Sequence, residues 1–192
     1  DGVLDESEID HTSYLCAESE IWDGDVAEAD WLDQGRRAAI ERVRVIKGSL
    51  VIPVDGEVHL PALELVTGDL VVDGRMTVLD LPVLRTVGGN VVIDAPGVDA
   101  LELEALEQIG KELFITGNGA NGDSISAPVL RDIGGRLVLW SAAKGAVSMP
   151  SLRTVQGTVA IEGSVSSLSL DALESVDGDL VYNDLVLERV HL

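Results

Sequence analysis

From residue 40 onward the apolar positions fall into three short groups that recur in fixed order. The first is an alternating pair, usually behind a glycine: Leu70/Val72, Val91/Ile93, Leu113/Ile115, Leu137/Leu139 and Val159/Ile161. The second reads apolar-x-apolar-x-x-Leu, as in Leu79/Leu81/Leu84 and Leu101/Leu103/Leu106, often with a proline inside. The third is one aliphatic just before the next glycine: Val66, Val87, Ile109, Ile133, Val155 or Val176. Period-two alternation within runs this short predicts strands, not helices.

The groups belong to a longer repeat. Residues 81–95 read LPVLRTVGGNVVIDA, and related stretches start at 60, 103, 127, 149 and 170, with a degenerate copy at 40 and a truncated one at 187. The starts are separated by 20, 21, 22, 24, 22, 21 and 17 residues. A near-fixed period of this size predicts stacked supersecondary units. Three apolar points per repeat, separated by Gly, Asp, Asn or Pro corners, describe one turn of a three-sided coil. A single turn cannot bury its inward side chains, but each neighbour covers them while parallel strands exchange backbone hydrogen bonds. The fold expected is therefore a mainly β, parallel β-solenoid of about seven coils with a short N-terminal helical cap.

Local chemistry supplies further expectations. Gly48, Gly68, Gly89, Gly135, Gly157 and Gly178 precede the alternating pair and are expected to turn a corner with positive φ; Lys111 takes that place once. Pro61, Pro82, Pro128 and Pro150 suit strand ends, where a missing donor is tolerated. Residues 26–42 carry the only helix-like pattern, interrupted at Gly35, with Trp31, Leu32, Ala39 and Ile40 placed to cover the first coil. The domain reading is an acidic segment at 1–20, then a solenoid domain at 21–192, with its cap at 21–47 and its coils at 48–192. Leu187, Val190 and Leu192 form a last apolar edge, a candidate for self-association into a homo-oligomer.

The repeat spacing L-P-x-L-x-x-V-x-G-x-L-x-I resembles the receptor L domain, a right-handed β-solenoid related to leucine-rich repeats and found in insulin and epidermal growth factor receptor ectodomains. The likeness covers residues 40–192, and the stretch EIWDGDVAEADWL resembles the family's opening segment. The resemblance implies an extracellular or cell-surface setting and a ligand-contacting sheet face. Cys16 is the only cysteine, so the disulfides of the receptor versions are absent and growth-factor binding does not transfer.

Composition narrows the partner. A net charge of −21 argues against nucleic acid, whose phosphates require Lys and Arg. Twelve acids and no Lys or Arg lie in residues 1–35. Such a balance suits a protein working in high salt, where self-repulsion is screened; a halophilic source is the expectation. No apolar run approaches the length of a membrane span, so no transmembrane segment is expected, and Asp1 reads as a processed start. The partner expected is a protein or a glycan at a cell surface.

Catalytic chemistry finds little support. His11, His59 and His191 are dispersed, and no nucleophile elbow, P-loop or dinucleotide glycine pattern is present. No enzyme activity, cofactor or metal is expected. Asn118, Asn121 and Asp123, in the longest insertion, are weak calcium candidates without the repeated acidic glycine nonapeptide; a plain corner is the expectation. Glu64, Arg85, Glu107, Arg131, Arg153 and Glu174 form a charge ladder expected to be a solvated edge.

One surface departs from the usual pattern. A solvent-facing sheet normally alternates apolar inside with polar outside. Here the outward positions between the paired aliphatics are Val71, Val92, Phe114, Val138 and Ala160, and the next outward row includes Thr116 and Trp140. A contiguous apolar stripe of this kind marks a contact surface, so these residues are the partner-binding candidates. The function expected is recognition or adhesion. The alternative is a structural envelope component that self-associates through its C-terminal edge.

Overall fold

The computed structural model describes residues 20–94, 100–116, 124–140, 146–163, 165–183 and 189–191. The chain forms a mainly β, parallel β-solenoid of about seven turns with two short helices near its start. An eight-stranded sheet runs through Ile21–Asp23, Val45–Lys47 and Leu65–Val66 to Ser175–Val176. A seven-stranded sheet comprises Leu50–Ile52, Leu70–Asp73, Val91–Asp94, Leu113–Thr116, Leu137–Trp140, Val159–Glu162 and Leu180–Asn183. The third strand position of the repeat is split. Gly56–His59 pairs with Met76–Asp80, and a separate five-stranded sheet begins at Ala100–Glu102. Every pairing between described strands is parallel and joins successive turns.

The core is a set of aliphatic files. Leu70, Val91, Leu113, Leu137 and Val159 stand in direct register and are buried, as are Val72, Ile93, Ile115, Leu139 and Ile161 beside them. Val66, Val87, Ile109, Ile133 and Val155 form a second file, and the corner leucines Leu60/Leu63 through Leu103/Leu106 a third. Each inward aliphatic gains roughly 1.5–3 kcal/mol from burial that its own turn cannot provide.

The glycines serve a different purpose from the one expected. Among the described glycines, positive φ occurs at Gly24, Gly56 and Gly163 and at none of the six repeat glycines. Those six instead let successive backbones approach. A Cβ on Gly68 would stand 2.7 Å from the Gly48 carbonyl carbon, and one on Gly157 would stand 2.9 Å from that of Gly135. Across this contact Gly68 N donates to Gly48 O at 2.8 Å, and Gly89 N donates to Gly68 O at 2.8 Å. The corresponding bonds from Lys111 N to Gly89 O and from Gly178 N to Gly157 O are 3.1 and 3.2 Å.

A ladder of short polar side chains runs beside the glycines. Asp25 Oδ1 accepts from Ser49 N (2.7 Å) and Ser49 Oγ from Asp69 N (3.1 Å). Asp69 Oδ1 then accepts from Asn90 N (2.7 Å), and Asn90 Oδ1 from Glu112 N (3.2 Å). Each side chain therefore satisfies a corner N–H of the following turn, a group that is costly to leave unpaired.

The cap differs in detail from its expectation. Ile21–Asp23 is a strand paired with Val45–Lys47, so the eight-stranded sheet starts ahead of the helices. Helix α1 (Glu28–Leu32) and helix α2 (Gln34–Ile40) are separated at Asp33, whose carboxylate caps α2 by accepting from Arg36 N, so the break precedes Gly35. Trp31 and Ile40 are buried as expected, whereas Leu32 is 76% exposed: it lies at the last position of α1, turned away from the core. Asp30 is buried and satisfied, accepting from Ala27 N at 2.8 Å and pairing with Arg36 at 2.8 Å.

Candidate functional site

The apolar outward row lies on the seven-stranded sheet. Val71 pairs with Val92, Val92 with Phe114, Phe114 with Val138, and Val138 with Ala160, rung by rung. Asp73, Asp94, Thr116, Trp140 and Glu162 form the next outward row, also in direct register. Period-two alternation sends both rows to the same side, so Trp140 is the diagonal neighbour of Phe114 on the adjacent turn. The aliphatic row and Phe114 are half-buried, because neighbouring rungs shield one another at strand spacing; Trp140 is 56% exposed. All seven partner-binding candidates, from Val71 to Ala160 with Thr116 and Trp140, thus occupy one face.

The N-terminal edge of that sheet is paired. Val26 forms a parallel bridge to Leu50 and Val51 N donates to Val26 O at 2.9 Å, pairing the edge of the sheet. The Trp31 indole N–H donates to Val51 O at 2.6 Å. These contacts satisfy the outer edge of the first strand, whose outward Val51 is half-buried like Val71. Covering a sheet edge in this way removes an aggregation template.

Beside the Val71 end, Pro53, Asp55, Asp73, Gly74, Arg75 and Asp94 line a shallow cleft of about 280 Å³. Asp73 and Asp94 are exposed and face each other on adjacent strands. Asp55 accepts from Arg75 N at 2.8 Å. Among the described residues no ion pair joins Asp55, Asp73 or Asp94 to Arg75 or to any other cation. Like charges directly opposite across a ladder repel.

A second cleft, of about 450 Å³, opens where the third strand position splits, lined by His59, Val78, Asp80, Pro82, Glu102 and Glu104 among others. His59 sits between Asp80 (Nδ1 to Oδ2, 3.2 Å) and Glu57 (Nε2 to Oε2, 3.5 Å). Its pKa is raised above 6.5, first by the hydrogen bond to Asp80 and then by that to Glu57. The isolated histidine of the sequence thus belongs to an ion-paired cluster that the repeat pattern did not signal. No group of three or more His, Cys, Asp or Glu side chains among the described residues is arranged to hold a metal ion.

The charge ladder pairs in part. Arg44 donates to Glu64 through Nε (3.1 Å) and Nη2 (2.9 Å) and to Glu20 through Nη1 (3.0 Å). Arg85 pairs with Glu107 at 2.9 Å and Arg153 with Glu174 at 3.8 Å. All are solvent-exposed, as expected of an edge. Beside them Arg136 makes two bonds to Glu112, at 2.9 and 3.0 Å.

Several candidates lie outside the described residues: Cys16, His11, the calcium candidates Asn118, Asn121 and Asp123, and Leu187 and Leu192. Val190 lies in the strand Arg189–His191, which pairs with Ser167–Ser169, and its side chain is likewise outside the description. No described helix is long and apolar enough to cross a membrane. No protein-family model, no curated protein and no solved structure matches the chain.

Proposed function

We propose that this protein is a non-catalytic recognition or adhesion module of the receptor L type, right-handed and three-sided, working outside the cell or at its surface. Its partner is a protein or glycan bound on the outer face of the seven-stranded sheet. One observation supports this reading most: Val71, Val92, Phe114, Val138 and Ala160 continue an apolar row rung after rung on an outward face, with Trp140 standing exposed beside it. Polar side chains would suit a merely solvated face better, and Phe and Trp are residue types enriched in the buried core of interfaces.

Peptide-display and glycan-array selection on the intact protein tests it, with Phe114→Asp/Trp140→Ala as counter-screen. The reading expects binders that lose the double variant while its circular dichroism is unchanged. Binders that hold both proteins equally, or unfolding of the variant, contradict it.

A second reading, self-association through the last turns, draws on Leu180, 43% exposed, and on Leu173 and Val176, which are less buried than their counterparts in earlier turns. Light scattering discriminates: a monomer contradicts this reading, and an oligomer broken by Leu187→Asp or Leu192→Asp supports it.

A further inference from the structure

We infer that the partner on this face is an extended polypeptide that places a lysine or arginine between Asp73 and Asp94 and apolar side chains along the stripe toward Trp140; this rests on the recognition reading above. The two carboxylates are held opposite each other by strand register, at the rim of the 280 Å³ cleft, with no cation paired to either among the described residues. Asp55 adds a third carboxylate to the cleft wall, against the one cation there among the described residues, Arg75. A cationic side chain entering between Asp73 and Asp94 would gain two carboxylate partners at once, so the apolar row carries a charge preference at one end. Electrostatic complementarity of this kind sets partner choice and register more than raw affinity.

Spacing makes the requirement specific. Strands of successive turns lie ~4.8 Å apart, so the point midway between Asp73 and Asp94 is about 12 Å from Trp140 along the axis. An extended chain covers that distance in about four residues at ~3.3 Å each. A basic residue at position i and apolar residues at i+2 and i+4 then face the sheet together. The first apolar residue falls over the strand of Phe114 and Thr116, and the second over that of Val138 and Trp140.

A capped peptide built from two copies of Ser-Lys-Ser-Val-Ser-Leu is the probe, titrated by calorimetry in low-salt buffer. Comparison peptides replace Lys by Glu, or Val and Leu by Ser. The expected result is measurable binding that weakens about tenfold or more in both comparison peptides and in Asp73→Asn/Asp94→Asn. Glu102→Gln/Glu104→Gln, which removes the same charge from another face, leaves binding intact. Equal loss in both protein variants, or equal binding of the serine-substituted peptide, identifies general attraction to an acidic protein and overturns the inference. Absence of binding by the Lys peptide overturns it as well. Binding of the Glu peptide at least as tight as the Lys peptide, abolished by Phe114→Asp/Trp140→Ala, also overturns it but leaves the docking face standing.

Discussion

Gly68 lies against Gly48 of the preceding turn so closely that a methyl group on it would stand 2.7 Å from the Gly48 carbonyl carbon and 2.8 Å from its oxygen. The neighbour is backbone held in a ladder, so it cannot swing aside as a side-chain end would. Gly68→Ala is therefore expected to cost about 1–3 kcal/mol or more by overpacking, read as a lowered urea midpoint. Gly56→Ala provides the contrast: its φ is +93° with no atom within 4 Å of the added methyl, so only backbone strain of about 1–2 kcal/mol applies.

The polar ladder gives a second test. Asp69→Ala removes the acceptor for Asn90 N and is expected to cost about 1–3 kcal/mol, the penalty of a corner donor left unpaired. Asp69→Asn retains an acceptor oxygen and is expected to restore most of that loss. Equal loss in the two variants would place the effect elsewhere.

The inward files and the strand order were legible in the sequence because a two-residue period reports directly which side chains face the core. Leu70, Val91 and Leu113 could be aligned by eye, and their register follows from one repeat length. The purpose of the glycines was not legible. A missing Cβ looks the same whether it permits positive φ, as at Gly56, or a neighbouring carbonyl, as at Gly68; only the fold distinguishes them. Asp25, Ser49, Asp69 and Asn90 each follow a glycine, so a series of short acceptors carries the signal for the ladder, but the apolar pattern does not report it. Leu32 misled because its hydrophobicity fitted the helix pattern, while Asp33 ends α1 before that side of the helix meets the core. The cluster of His59, Asp80 and Glu57 joins residues one turn apart at a split in the sheet, and the split has no counterpart in the apolar pattern.

Histidine 59 predicts a pH dependence. Its folded pKa is raised above the unfolded value, so the native state binds the proton more tightly. The stabilisation is fully present below about pH 6.5 and is lost as pH rises through the folded pKa. The pair is exposed, so the effect is expected to stay below about 1 kcal/mol. Between about pH 8 and about pH 6, the urea midpoint should rise more in the parent protein than in His59→Gln; identical slopes would contradict the assignment.

The net charge of −21 predicts a salt response. We propose a high-salt setting, in which the Debye length shrinks from ~10 Å at 0.1 M to ~3 Å at 1 M and relieves self-repulsion. Thermal melting should then rise from low to molar sodium chloride; a flat or falling series removes the proposal. A rise with calcium that equal ionic strength of sodium does not reproduce would indicate divalent bridging instead.

Every proposal about the outer face depends on equivalent residues of successive turns stacking one rung apart. Spin labels on paired cysteines at 71/138, 71/160 and 71/181, with Cys16 replaced by serine, measure this most directly. Distances of about 14, 19 and 24 Å are expected, rising by one strand spacing of ~4.8 Å per turn. Distances that fail to grow in step with turn number would contradict the stacked parallel architecture and the binding face built on it.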